Sequence, residues 1–120
     1  MKRDWDLIRQ ILFKLEEKPD TRSVVHPNQF PGYDEQTVSY HMHLLHQAGL
    51  IEATASAHPN APVFCLARNL TWTGHELLDT IRGDSAWNRI AGLAKEKGLD
   101  LSFEAIKQIA RHLLSSVLGS

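Results

Sequence analysis

The sequence predicts a mainly α-helical protein with one small β-hairpin. Three observations lead to this class: apolar residues recur at helical spacing in five segments, two short runs rich in β-forming residues flank a polar loop, and glycine or proline separates the segments. The chain has 120 residues, of which 42% are hydrophobic and 22% charged, as in a compact globular fold. We expect a core over residues 1–82 and a helical extension over residues 83–120 that packs on this core or on a dimer partner.

The first helix is predicted from about residue 4 to residue 17. Trp5, Ile8 and Leu12 share one face, and Asp4 precedes them as a candidate N-cap. Pro19 ends the helix. The next segment, "TRSVVHPNQFPGY", holds two further prolines, so a regular helix cannot continue through it, although "RSVVH" can form a short strand.

The second helix contains the histidine-rich segment "YHMHLLH". Asp34 is its candidate N-cap, and Gly49 favours its end because glycine adopts the left-handed conformation at low cost. His43 and His46 are expected to face solvent. The predicted buried face consists of Val38, His41 or Met42, Leu45 and Ala48.

Two strands, "LIEATA" and "VFCLAR", flank the loop "SAHPNAP" and predict a hairpin. A third helix follows in "LTWTGHELLDTI", where either Thr71 or Thr73 is placed to cap it. We expect Trp72 and Trp87 to anchor the C-terminal part of the chain to the core.

Two further helices complete the predicted fold. One begins near Asp84 and ends at Gly98, and the other begins after a cap at Ser102. The apolar positions of the last helix follow a three-four rhythm and need a covering surface, either the first helix of the same chain or, slightly favoured, its copy in a homodimer. The residues predicted for this packing are Phe103, Ile106, Ile109, Leu113, Leu114 and Val117.

The sequence predicts neither a metal site nor a catalytic site. His43 and His46 have the spacing that one metal ion requires on a helix, but no third ligand lies near them, and His41 points away from His43. Cys65 lies between two apolar residues on a strand and fits a small buried residue better than a nucleophile. We therefore expect no metal, no cofactor and no enzymatic activity.

Several segments resemble known families. "QTVSYHMHLLHQAGLI" resembles the recognition helix of the winged-helix metal-sensor repressors, and "LTWTGHELL" resembles the junction that closes the wing in that superfamily. Nearly the whole chain resembles a family of small winged-helix-like bacterial and phage proteins of unknown function, through "MKRDWDLIR", "YHMHLLHQAGLIE" and "LTWTGHELLDTIRGDSAWNRI". This resemblance implies a winged helix-turn-helix-like core and a phage or prophage context, and it implies no particular activity.

The chain departs from the repressors in two respects. A proline-broken segment stands where a helix normally precedes the reading helix, and a single cysteine is present where the metal sensors carry paired thiolates. In addition, no Lys or Arg occurs from Ser23 to Ala67, which covers the second helix and the predicted wing. With three acids, this span has formal charge −3 when its histidines are neutral. Because duplex DNA is held mainly through Lys and Arg, a protein partner is favoured and DNA is the alternative.

The candidate macromolecule-binding surface combines the second helix with the hairpin loop. Its uncharged aromatic and polar side chains suit a protein interface, to which Phe30 is also expected to contribute. The candidate residues are Tyr33, Gln36, Thr37, Ser39, Tyr40, His43, Gln47, His58 and Asn60, and the candidate phosphate contacts are Lys2, Arg3 and Arg22.

Charge and hydropathy predict a cytoplasmic protein without a membrane partner. The net charge of −1, from 13 basic and 14 acidic residues, gives no bulk attraction to nucleic acid or to an anionic membrane. No segment approaches the roughly 20 apolar residues that span a bilayer, and the first residues lack the apolar centre of a signal peptide. Cys65 is the single cysteine, so no internal disulfide can form.

Overall fold

The computed structural model describes residues 2–56, 58–98 and 101–118, and side chains up to Leu113. Five helices and a two-stranded antiparallel hairpin confirm the predicted class. In chain order the elements are α1 (Trp5–Glu17), one 3-10 turn (Pro27–Gln29), α2 (Glu35–Gln47), β1 (Ile51–Ser56), β2 (Phe64–Leu70), α3 (Trp72–Ile81), α4 (Asp84–Glu96) and α5 (Phe103–Leu118). The chain divides into two compact units, Met1–Leu78 and Asp79–Ser120, whereas the predicted boundary followed residue 82.

The core of the first unit lies where α1, α2 and the hairpin meet. Ile8 and Leu12 are buried on α1, as its helical spacing predicts, and Leu7 and Ile11 are buried beside them. Asp4 caps this helix by accepting hydrogen bonds from the amides of Asp6 and Leu7, at 3.0 and 3.2 Å. Each of these apolar side chains contributes about 1.5–3 kcal/mol through burial, so α1 is stabilised chiefly by packing.

The segment between α1 and α2 forms a single 3-10 turn, because its prolines interrupt any longer helix. Phe30 follows this turn and is 2% exposed, with the Lys14 ammonium 5.5 Å from the centre of its ring. The expectation that Phe30 belongs to a binding surface is therefore wrong: the aromatic ring lies in the core. The predicted short strand is reduced to one antiparallel bridge between Val25 and Ala67 of β2.

A Schellman motif ends α2. The Leu50 amide donates to the carbonyl of Leu45 at 2.9 Å, the Gly49 amide donates to that of His46 at 3.0 Å, and Gly49 has φ 76°. Leu50, at the position that makes the apolar contact in this motif, is buried. The motif turns the chain so early that Ala48 is exposed, which corrects its predicted place in the buried face.

Thr71 links the start of α3 to this turn through hydrogen bonds. Its hydroxyl donates to the Gly49 carbonyl at 2.6 Å and accepts from the Gly74 amide at 3.1 Å, while its own amide donates to the Leu50 carbonyl at 3.1 Å. Thr71, rather than Thr73, is therefore the cap. A Cβ on Gly74 would lie 1.9 Å from the Leu50 carbonyl oxygen, so this close approach requires glycine.

The hairpin pairs Ile51 with Leu70 at its base and Ser56 with Phe64 at its far end, with one irregularity between Glu52 and Ala53. Cys65 and Ala67 alternate inward and are fully buried. Trp72, directly after β2, is 81% exposed. The prediction that Trp72 anchors the C-terminal part of the chain is therefore wrong.

In the second unit, α4 and α5 pack against each other. Gly98, at φ 67°, ends α4, and Ser102 caps α5 by accepting from the Ala105 amide at 3.0 Å. Trp87, Ile90 and Ala94 are buried on α4. On α5, Ile106 and Ile109 are buried, Phe103 and Leu113 are half-buried, and Leu114 and Val117 lie outside the described side chains.

Candidate macromolecule-binding surface

One face of α2 is at least partly exposed along its whole length. Gln36, Tyr40, His43 and Gln47 are four, three and four residues apart and therefore share this face, which we name the α2 surface. Gln36 and Gln47 are exposed, and Tyr40 and His43 are half-buried. The structure thus brings together four of the nine residues predicted for the binding surface, and none of the four carries a formal charge with neutral His43.

His41, one of the two alternatives for the predicted buried face, borders the α2 surface on one side and is fully buried. The Asp4 amide donates to its Nε2 at 2.8 Å, so this nitrogen is unprotonated. Nδ1 lies 2.8 Å from the Thr37 carbonyl and therefore carries the proton. The ring is the neutral Nδ1-protonated tautomer, and it joins the start of α1 to the middle of α2.

This contact places two cations next to α2. Lys2 and Arg3, both exposed, immediately precede Asp4 and therefore lie within two residues of the His41 contact. Tyr33 lies in the same region, where burial raises the pKa of its hydroxyl and the carboxylates of Asp4 and Asp6 raise it further. This proximity could not be predicted from local sequence patterns, because positions 4 and 41 are far apart in the chain.

Ser39 borders the α2 surface on the other side. It is 1% exposed, and its hydroxyl oxygen accepts a hydrogen bond from the Cys65 amide at 3.3 Å. Its assignment to the binding surface is therefore wrong, because β2 covers this side of the helix. Ser39 and His41 are about 200° apart around the helix axis. The α2 surface consequently lies between β2 and the start of α1.

The remaining predicted surface residues are more scattered. Thr37 is half-buried, and its hydroxyl donates to the Asp34 carboxylate at 2.8 Å. His58 and Asn60 are exposed in the hairpin loop, where the Ala61 amide donates to the His58 carbonyl at 3.1 Å.

The cations of the first unit lie outside the α2 surface. Arg22 is exposed, and it follows the end of α1 opposite to Lys2 and Arg3. The cation-free span ends at Ala67, and β2 continues beyond it to Leu70 with the exposed Arg68.

The structure offers little for metal binding or nucleophilic catalysis in the part of the chain that it describes. No three His, Cys, Asp or Glu side chains there are grouped to hold a metal ion. His46 Nδ1 lies 3.3 Å from the Ile51 carbonyl, and His43 Nδ1 is shielded from solvent without a hydrogen-bond partner among these residues. Burial raises the pKa of the Cys65 thiol to about 11, so the reactive thiolate is scarce at neutral pH.

Fold and surface together define a small, mainly helical protein with a hairpin and an uncharged helix face exposed beside it. Residues 2–100 match the model of the hypothetical protein family DUF2513, and the chain belongs to this family. This membership confirms the expected place in a family of proteins of unknown function. The chain is also similar to an uncharacterized protein of Haemophilus influenzae, with 52% identity over 119 residues, covering 99% of this chain and 100% of that protein.

No solved structure matches the chain. Across the residues that the structure describes, no helix combines the length and the apolar character needed to cross a membrane.

Proposed function

We propose that this protein acts by binding another macromolecule through the α2 surface and the adjacent hairpin, without catalysing a reaction, and that the partner is a protein. The observation that carries the proposal is the exposed, uncharged α2 surface between β2 and the start of α1. Both borders are fixed by hydrogen bonds from backbone amides, so the surface is preformed. Preformed surfaces bind at a lower entropic cost than flexible ones.

The side chains of the α2 surface favour a protein partner. Tyr40 offers a large ring with a polar end, which is a common anchor in protein interfaces. Gln36 and Gln47 can exchange hydrogen bonds with a backbone or with side chains. Because this face contains no Lys or Arg, it has no group that neutralises a phosphate.

A DNA-binding regulator is the second candidate. Two observations favour it: the resemblance of α2 to a winged-helix recognition helix, and the position of Lys2 and Arg3 beside α2. Arg68 in β2 adds a cation to the hairpin. In this alternative, α2 enters the major groove while the flanking cations contact phosphates. The phage or prophage context implied by the sequence resemblance is compatible with either partner.

Capture from a bacterial lysate, with and without nuclease, tests the partner class. We expect a protein that is retained after nuclease treatment and lost in Tyr40→Ala, since truncation removes the aromatic anchor. Gln10→Ala, at an exposed position of α1, is the matched control and should retain the partner. Loss of every captured protein after nuclease would contradict the proposal.

Salt dependence tests the alternative on purified protein. We expect weak binding to a random DNA duplex at physiological salt. The slope of affinity against salt concentration should correspond to at most about one or two phosphate contacts. A steep dependence equivalent to roughly six contacts, reduced in the double variant Lys2→Gln and Arg3→Gln, would favour DNA and overturn the choice of a protein partner.

A further inference from the structure

An open groove lies at the end of α1, in the first unit. It has a volume of about 420 Å³, within the range of about 300–1,000 Å³ of ligand sites. Leu15, Pro19 and Leu70 supply its apolar lining, and His75 of α3 also lines it. The α2 surface borders the start of α1, and the groove borders its end. The two sites share no residue.

Hydrogen bonds hold the polar wall of the groove in place. Lys18 Nζ donates to the Ser23 carbonyl and to Asn69 Oδ1, the latter at 3.0 Å. Asn69 Nδ2 in turn donates to the Thr21 carbonyl at 3.4 Å. The one Lys or Arg lining the groove is therefore already engaged by acceptors of the protein itself.

The groove is acidic. Glu16, Asp20 and Glu52 line it together with Lys18, which gives the lining a formal charge of −2 with His75 neutral. The Asp20 carboxylate accepts amide hydrogen bonds from Ser23 at 2.7 Å and from Arg22 at 2.9 Å, and these hydrogen bonds, led by that of Ser23, hold its pKa below the usual value. The groove therefore complements a cation at neutral pH.

An exposed aromatic ring stands beside the groove. Trp72 precedes His75 by three residues on α3, so the two side chains are neighbours on the helix surface. At 81% exposure, the Trp72 ring contributes little to packing. A tryptophan face attracts ammonium and guanidinium groups more strongly than the rings of tyrosine and phenylalanine do.

We propose that the groove and Trp72 together bind a Lys or Arg side chain on an extended segment of a partner protein. The apolar lining accommodates the methylene stem, as such stems commonly lie along apolar surfaces. The charged end meets the carboxylates of the groove, and the indole face covers it from the rim. This site does not depend on the α2 surface, because it uses different residues at the other end of α1.

Titration of isotope-labelled full-length protein with a blocked hexa-arginine peptide tests this site by NMR. We expect saturable shifts at Glu52, Asn69 and the Trp72 indole N–H, and no response to a blocked hexaglutamine peptide. Trp72→Ala should weaken binding roughly two- to fivefold, the size of an exposed cation–π contact. Phe64→Ala, which removes an exposed aromatic ring from the hairpin, should leave the affinity unchanged.

Two matched charge variants separate specific binding from general attraction. Glu52→Gln should weaken hexa-arginine binding, whereas Glu35→Gln, the same change at an exposed position of α2, should not. Equal weakening by both variants, or shifts distributed over all acidic residues, would overturn the proposed site. Tyr40→Ala should leave peptide binding intact, so failure of the α2 surface proposal and failure of this site are distinguishable.

Discussion

At the scale of single residues, Gly74 is the position where the fold tolerates least change. The Leu50 carbonyl oxygen occupies the space that a Cβ would need, at 1.9 Å. Gly74→Ala must push the start of α3 away from the turn after α2 and weaken the hydrogen bonds of Thr71. We expect the free energy of unfolding to fall by about 2 kcal/mol or more, measured by urea denaturation.

Gly92→Ala is the matched control for this prediction. Gly92 lies within α4, and a Cβ there would have no neighbour within 4 Å. Alanine should stabilise that helix by about 0.5–1 kcal/mol, because it restricts the unfolded chain more than glycine does. Equal effects of the two substitutions would show that the contact with Leu50 does not constrain the fold.

Residues at the edge of a buried face were the hardest to predict. Helical spacing correctly placed Val38 and Leu45 in the core, and it left His41 and Met42 as alternatives, both of which are buried. Helical spacing could not show how much of the circumference of α2 is buried, because that depends on which elements pack against the helix. Ser39 is buried because β2 extends over it, and only a contact across 26 positions of the chain reveals that.

At the scale of elements, the N-cap of α2 links its stability to pH. Asp34 accepts hydrogen bonds from the Thr37 amide at 2.9 Å and from its hydroxyl at 2.8 Å, and these hold the pKa of the carboxyl below 3.8. A carboxyl whose pKa is lower in the folded than in the unfolded protein adds to the free energy of unfolding at any pH above its unfolded-state pKa. This contribution is lost as the pH falls through the folded-state pKa. Asp34→Ala should therefore have a lower free energy of unfolding than wild type at pH 7. The difference between the two should become smaller below about pH 3.

Asp34→Asn separates the charge from the cap. Its amide oxygen can still accept from the Thr37 amide but does not titrate in this range. We expect it to be more stable than Asp34→Ala at neutral pH. Urea denaturation from about pH 2.5 to 7 measures both variants. A constant difference between wild type and Asp34→Ala over that range would contradict a role for the carboxylate charge.

Local signals predicted most of the helix ends, whereas contacts between elements were not predictable. Asp4, Asp34 and Ser102 were identified as caps because capping depends on a few adjacent residues. The choice between Thr71 and Thr73 remained open, since it depends on the carbonyls of Gly49 and Leu50. The groove and the exposure of Trp72 likewise arise only when α1, the hairpin and α3 come together.

At the scale of the whole molecule, we expect α5 to be required for stable folding. Ile106 is fully buried and Ile109 is 8% exposed, and each contributes about 1.5–3 kcal/mol through burial. Truncation after Gly98 should therefore lower the free energy of unfolding or make the protein insoluble. Ile106→Ala should cost about 2–5 kcal/mol because it leaves a cavity. Urea denaturation measures both.

Light scattering on the same variants tests whether α5 joins two copies. Since Ile106 is already covered in the single chain, Ile106→Ala should leave the molecular mass unchanged. Gln108→Ala, at an exposed position of the same helix, is the control and should change neither stability nor mass. A mass halved by Ile106→Ala would instead support the homodimer, and an equally stable truncated protein would contradict the requirement for α5.

The hydrogen bond between Asp4 and His41 has a practical consequence for capture experiments. An affinity tag fused ahead of Lys2 would lie only two or three residues from Asp4, whose amide is hydrogen-bonded to His41 of α2. Such a tag would crowd the surface that a partner must reach, and a basic or histidine-rich tag would also alter its charge. Fusing the bait at its other terminus avoids this tether.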